Sequence, residues 1–352
     1  MALNWYKGKT VFLTGDTGFK GSWLVIWLLE LGAKVTGYAL PPDDIGNYTA
    51  CGLRKRFRHI DGDIGDVHLL TKSLKECRPD IAFHLAAQPL VLDSYKAPLY
   101  TFGVNVMGTA RFLEAARACR TLRAAVVVTT DKVYENPEHG RAFRESDSLG
   151  GHDPYSASKA AAEIITQSYA RSFFREGKCA VASARAGNVI GGGDFAANRI
   201  VPDCVRALRS GRPVTLRNPS AIRPWQHVLE PLYGYLLLGA ALAQKGGGRG
   251  FSGAWNFGPS KSQVRTVREL AQRFVSEWGR GEVKIERTGR KPHEAKLLRL
   301  NSAKAAKKLG WRPKIDFAGT IKQTVEEYTQ MEEFDPEELF LARIKTIRKF
   351  EE

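Results

Sequence analysis

"KTVFLTGDTGFKGSWLVIWLLELGAKVTGYAL", Lys9 to Leu40, decides the fold. It opens with the apolar run of a buried strand, "KTVFLTG", continues as a helix in "GFKGSWLVIWLLELGA" and closes on a second strand, "KVTGYAL". Between the first strand and the helix stand Gly15, Gly18 and Gly21, spaced G-x-x-G-x-x-G. Glycines let the backbone turn sharply and approach a pyrophosphate, and the helix N-terminus supplies N–H groups and a positive dipole end. A glycine triplet alone is also an ordinary tight turn. Its place between a strand and a helix favours the dinucleotide reading.

The pattern continues outward. "IAFHLAA", "AAVVVTT" and "CAVASARAG" read as further buried strands, separated by helical stretches around "DVHLLTKSLKEC", "NVMGTARFLEAARA" and "YSASKAAAEIITQSYARSFF". Strands alternating with helices predict an α/β protein with a Rossmann-type, doubly wound parallel sheet over residues 1–187. Past Gly187 the chain becomes glycine-rich and irregular, with short strands and helices mixed. A smaller C-terminal substrate-binding lobe is expected from residues 188–223 and 259–332, with a segment near 224–258 returning to the sheet. Residues 333–352 form a charged tail, helical or loosely attached.

The 352 residues carry a net charge of +16, with 43% hydrophobic and 26% charged residues, as in a soluble globular chain. That charge fits nucleic acid, a membrane surface or an anionic small ligand. The densest cluster, "RKRFRH" from Arg54 to His59, reads as solvated surface. There is no zinc-finger spacing and no RNA-binding aromatic motif, so no nucleic-acid partner is expected. "YGYLLLGAALA", Tyr233 to Ala243, is too short to span a bilayer, so no membrane partner is expected either. Five scattered cysteines without C-x-x-C, and an N-terminus without a signal-peptide pattern, predict reduced thiols in the cytoplasm. The seven histidines lack partners at ligand spacing, so no metal is expected.

Chemistry concentrates in "VVVTTDKVYENP", Val126 to Pro137, and in "YSASK". Tyr155 and Lys159 are four apart on a helix and share a face. An ammonium beside the phenol favours the phenolate, so Tyr155 is the candidate base toward a hydroxyl, with Thr130 hydrogen-bonding the same hydroxyl. Asp131 and Lys132 would point to opposite faces of a strand and form no obvious ion pair there.

The glycine spacing resembles that of the short-chain dehydrogenase/reductase superfamily. "GKTVFLTGDTGFKGSWL", "TTDKVYEN", "DPYSASKAAAE", "ARAGNVIGGGDF", "RIVPD" and "RPWQHVLEPL" together resemble the CDP-glucose 4,6-dehydratases of its extended branch, and "KPHEAKLLRLNSAKAAKKLGW" carries the likeness to Trp311. The resemblance implies tightly bound NAD, a CDP-hexose substrate, a cleft between two lobes, and a homodimer or dimer of dimers. It assigns Gly15, Thr17, Gly18, Phe19, Gly21, Asp63, Ile64, Ala86, Ala87, Gln88, Asn105, Tyr155 and Lys159 to the cofactor. It assigns Ser94, Asn188, Arg199, Arg223 and His293 to the substrate. A 4,6-dehydration oxidises carbon 4, eliminates water across carbons 5 and 6, and returns hydride to carbon 6. Related dTDP-glucose enzymes carry Asp-Glu after the threonine. Here Asp131 is the expected acid at carbon 6 and Lys132 the expected base at carbon 5, which requires a lowered lysine pKa.

Three departures stand out. Ala39 takes the usual place of the ribose-binding acid, which leaves NADP open; Asp16 replaces a more usual histidine; Leu92-Asp93 stands where an arginine near the sugar is expected. The alternatives are another nucleotide-sugar dehydratase or epimerase, and a catalytically silent NAD-binding regulatory or scaffold protein. The helices carrying Asn105 and Tyr155 are expected to pair across a two-fold axis through Phe112, Leu113, Ile164 and Ile165.

Overall fold

The computed structural model describes residues 2–137, 140–175, 179–244, 248–286 and 298–352. Seven strands form one parallel sheet: β1 (Thr10–Thr14), β2 (Lys34–Ala39), β3 (Arg58–Asp61), β4 (Ile81–His84), β5 (Ala124–Val128), β6 (Ala180–Ala186) and β7 (Gly253–Phe257). Their order is β7-β6-β5-β4-β1-β2-β3. The chain winds outward from β1 to β3, then returns to start again at β4 on the other side. The crevice beyond the carboxyl ends of β1 and β4 is therefore the topological switch point, where open α/β sheets bind ligands. β7, at Gly253–Phe257, pairs in parallel with β6 at the edge of the sheet.

Both faces are covered, as an all-parallel sheet requires. On one face lie α1 (Phe19–Glu30) and, later in the chain, a helix spanning Leu229–Leu242; Trp23, Trp27 and Leu236 are fully buried there. On the other face lie α2 (Val67–Cys77), α3 (Gly108–Arg117) and α4 (Pro154–Ser172), packed around Phe12, Phe112 and Val127. With α5 (Ile200–Arg209) counted between them, the Leu229–Leu242 helix is α6. A separate apolar cluster joins α5 to α7 (Val267–Trp278) and α8 (Phe317–Glu333) through Leu208, Phe274 and Tyr328.

The charged C-terminal stretch takes the helical course and is firmly packed. It forms α9 (Pro336–Glu351), opened by a capping box from Asp335 and Glu338. Leu339, Ile344, Ile347 and Phe350 are buried, Arg348 pairs with Glu30 of α1 at 2.7 Å, and Trp27 donates to Glu351 at 2.6 Å. Arg343, fully buried, donates to the Glu327 carbonyl of α8 at 2.9 Å and to Asn47 at 3.2 Å. Apart from Arg343, the charged residues of the helix lie on its outer face.

Candidate active site

The glycine turn is built as the sequence requires. Gly15 sits at φ +77°, and a Cβ there would meet the Ala86 nitrogen at 2.6 Å; one on Gly21 would meet the Gly15 carbonyl at 2.0 Å. These contacts demand glycine. The N-terminus of α1 carries no side-chain cap, so its N–H groups face the crevice. A cavity of about 970 Å³ opens there and runs from the turn across the strand ends to the smaller lobe. An uncapped helix start, a turn closed to side chains and a long cleft fit a dinucleotide.

Thr130, Lys132, Tyr155 and Lys159 all line this cavity, with Gly15, Thr17, Gly18, Phe19, Gly21, Asp63, Ile64, Ala86 and Ala87 on the cofactor side. Asn188, Arg199 and Arg223 line it on the lobe side, together with Leu92 and Asp93. Four of the expected site residues, Asp131, Asn105, Gln88 and Ser94, lie behind the wall. Asn105 donates to the Gln88 carbonyl at 3.0 Å and to Ser158 at 2.9 Å, and accepts from the Gln88 N–H at 2.9 Å, so both residues brace the cavity wall. Ser94 is fully buried and donates to the Val91 carbonyl at 2.7 Å. His293 lies outside the described residues.

Asp131 and Lys132 differ from a strand-based expectation because β5 has already ended. Asp131–Val133 is a single helical turn capped by Thr130, and that turn brings the two side chains together. Lys132 Nζ lies 3.1 Å from Asp131 Oδ1, the Thr130 hydroxyl donates to the same oxygen at 3.0 Å, and Nζ also reaches Asn188 Oδ1 at 3.5 Å. Asp131 is 1% exposed, whereas the Lys132 side chain keeps 23% of its surface. The expected lowering of the Lys132 pKa is not found. Burial works against the ammonium, but Asp131 and Tyr155 outweigh it and raise the pKa above its ordinary value. In the free protein the pair is an ion pair, not an acid beside a neutral amine.

Burial also raises the Tyr155 phenol, with Lys132 and the Thr130 hydrogen bond pulling it back. Lys159 is lowered to about 8 by burial, opposed by Glu163, and donates to the Val128 carbonyl at 3.3 Å. Glu163 is held ionised by fully buried Arg185 at 2.7 Å, with Thr129 and Ser183 donating at 2.6 and 2.7 Å. On the lobe side, Arg199 pairs with Asp194 at 2.9 Å.

Two features escape a reading of spacing. Lys20, inside the quoted turn, lines the same cavity and donates to the Tyr235 hydroxyl at 3.3 Å. Asp16 lies under β2 and β3, 2.6 Å from His59 Nδ1, so the histidine absent from the turn is supplied by the neighbouring strand. His59 and Arg54 both engage Asp61, so part of the basic cluster is spent internally. Neither pairing is local in sequence. Among the described residues, no group of three or more His, Cys, Asp or Glu side chains could hold a metal ion, and no helix is long and apolar enough to cross a membrane.

A parallel sheet with its glycine turn at the switch point, and Thr130 beside a Tyr-x-x-x-Lys helix, define a protein of the extended short-chain dehydrogenase/reductase class. Within that class the chain belongs to the GDP-mannose 4,6 dehydratase family, whose description matches residues 12–324. It is 42% identical over 328 residues to the CDP-glucose 4,6-dehydratase of Salmonella typhimurium, covering 92% of this chain and 91% of that one. It is 31% identical to the dTDP-glucose 4,6-dehydratase of Streptomyces antibioticus, covering 90% and 92%. The crystal structure of the Streptomyces venezuelae dTDP-glucose 4,6-dehydratase with NAD and TYD bound superposes with a TM-score of 0.77 at 27% identity, covering 91% and 97%.

Proposed function

We propose that the protein binds NAD and converts CDP-D-glucose to CDP-4-dehydro-6-deoxy-D-glucose. One observation carries the dehydratase reading: the cavity-lining Lys132 ammonium pairs at 3.1 Å with the buried Asp131 carboxylate, beside the Thr130 and Tyr155 hydroxyls. An epimerase needs only the latter. The 42% identity to a CDP-glucose enzyme supports the cytidine nucleotide.

The bound nicotinamide supplies a hydride acceptor for carbon 4 and a donor for carbon 6. The rest falls to the chain. Tyr155 takes the proton of the carbon-4 hydroxyl, which Thr130 orients. Lys132 removes the carbon-5 proton while Asp131 protonates the departing hydroxide. Both roles require one proton to move from Lys132 Nζ to Asp131 Oδ1 over the observed 3.1 Å. A sugar covering the exposed quarter of Lys132 would remove water from the ion pair and favour that neutral form. Arg199 and Arg223 hold the diphosphate, with Asn188 on the sugar side.

The test is incubation with CDP-, UDP- and dTDP-glucose and GDP-mannose, followed by the alkaline ultraviolet absorbance of the 4-keto product. CDP-glucose is expected to give the signal without consuming added cofactor, and denatured protein to release NAD. A signal from another nucleotide sugar alone sinks the substrate assignment, and release of NADP alone sinks the cofactor assignment.

Assembly as a homodimer is part of the same reading. Phe112 and Leu113, expected at the interface, are instead fully buried in the core, and Ile165 packs against that core. Exposed apolar residues on these helical segments include Leu99, Tyr100, Phe102, Met107 and Ile164, with Leu99 86% and Ile164 59% exposed. Such a patch calls for a partner, and closed two-fold dimers are the common solution. Sedimentation at micromolar concentration is expected to give a dimer or a dimer of dimers, and Ile164→Glu to shift it toward monomer. A monomeric wild-type protein would overturn this.

A further inference from the structure

Lys20, an amine lining the cavity, has no part in the steps above. It is the second residue of α1, between Gly18 and Gly21 of the glycine turn. Its side chain runs along the α1 face of the sheet to the Tyr235 hydroxyl of α6, 3.3 Å away, and lies 5.7 Å from the centre of that ring. Tyr235 is fully buried, and Lys20 lines the same cavity as Thr130, Tyr155 and Lys159, so the amine stands on the side of the proposed redox groups. The two faces of the sheet thus send opposed groups to its crest: Lys20 from the α1–α6 face, Tyr155 and Lys159 from the α4 face.

The charges facing Lys20 are Arg199 at the start of α5, Lys159 on α4, and Asp131 and Lys132 after β5; Tyr235 on α6 is its neutral partner. Three cations oppose one carboxylate. Burial first, then Arg199 and Lys159, lower its pKa to about 7. A group in this position changes charge near neutrality and responds to any charge placed beside it.

We infer that Lys20 is an electrostatic tuning residue for the bound nicotinamide: its ammonium disfavours the cationic oxidised ring, favours the neutral reduced ring, and so holds the sugar's hydride in store while water is eliminated. The inference rests on the dinucleotide reading above. The oxidised nicotinamide carries a positive charge and the reduced one does not. Binding of NAD therefore competes with protonation of Lys20, and binding of NADH does so far less. By linkage, the preference for NADH over NAD is greatest below pH 7, where Lys20 is charged, and falls as pH rises through that value.

The experiment is direct measurement of NAD and NADH affinities on cofactor-stripped protein at pH 6 and pH 9, for wild type, Lys20→Met and Lys20→Arg. Methionine keeps the length and removes the charge; arginine keeps the charge at both pH values. In wild type the NADH/NAD affinity ratio is expected to fall by about tenfold between the two pH values, the size of a one-unit charge coupling. In Lys20→Met it should be lower at pH 6 by a similar factor and depend less on pH. In Lys20→Arg it should stay high at both. Lys159 titrates nearby in all three proteins, so the difference between them isolates Lys20. Binding of both forms with the same pH-dependent ratio in wild type and Lys20→Met overturns this inference alone. Wild-type protein that binds neither form overturns the cofactor reading with it. A role of Lys20 in packing alone would weaken both affinities together and leave the ratio unchanged, which also overturns it.

Discussion

Replacing Lys132 by methionine is expected to arrest turnover after carbon 4 has been oxidised. The Thr130 and Tyr155 hydroxyls that serve the first step remain, so the sugar is still oxidised. Loss of the base at carbon 5 should slow elimination by about 10²–10⁴-fold. Absorbance of the reduced nicotinamide should then build up with a 4-keto sugar, and exchange of solvent deuterium into carbon 5 should fall in step with turnover. The variant also removes the ammonium that pairs with the buried Asp131 carboxylate. Near-normal turnover and exchange in this variant would make Lys132 a structural residue. Asp131→Asn, in contrast, should spare carbon-5 exchange better than it spares dehydration.

Tyr155→Phe should fail one step earlier. The phenylalanine keeps the buried ring and removes the group that accepts the carbon-4 proton. Turnover should drop by a similar factor of about 10²–10⁴, and little reduced nicotinamide should form. The contrast between the two variants is the informative part: one fills the reduced pool, the other leaves it empty. Equal accumulation in both would break the assignment of Tyr155 to the first step. The high intrinsic pKa of the buried phenol predicts that wild-type oxidation speeds up as pH rises, since the phenolate is the reactive form. The same rise should vanish in Tyr155→Phe.

The parallel sheet was legible because its strands are buried on both faces, and burial on both faces writes itself as unbroken apolar runs. β3 was not: "RHID" is a four-residue edge strand whose side chains are partly exposed and mostly polar, so it reads as part of a basic surface cluster. The glycine turn and the Tyr155–Lys159 pair were legible because each is local, set by one turn or one helix face. The Asp131–Lys132 contact was misread for an equally local reason. The chain leaves the strand at Thr130 and turns once, and nothing in the composition of "TTDKV" marks where extension stops. Lys20, Asp194 and the Asp16–His59 pair depend on elements 43 to 215 residues apart or on side-chain direction, which spacing does not encode. Phe112 and Leu113 were assigned outward because a helix covered on more than one side looks the same in sequence as one with an exposed apolar stripe.

The Arg199–Asp194 pair sets how the protein should behave in salt. Before substrate arrives, this arginine is already neutralised by a carboxylate 2.9 Å away. A diphosphate that takes its place frees Asp194, which then gathers a cation from solution. The exchange sheds fewer condensed ions than a bare arginine would. Affinity for the nucleotide sugar should therefore decline with ionic strength less steeply than a chain of charge +16 suggests. Inorganic phosphate, bringing a single anionic group and no nucleoside to bury, has little with which to displace the carboxylate. The cleft can thus stay selective in a medium crowded with small anions.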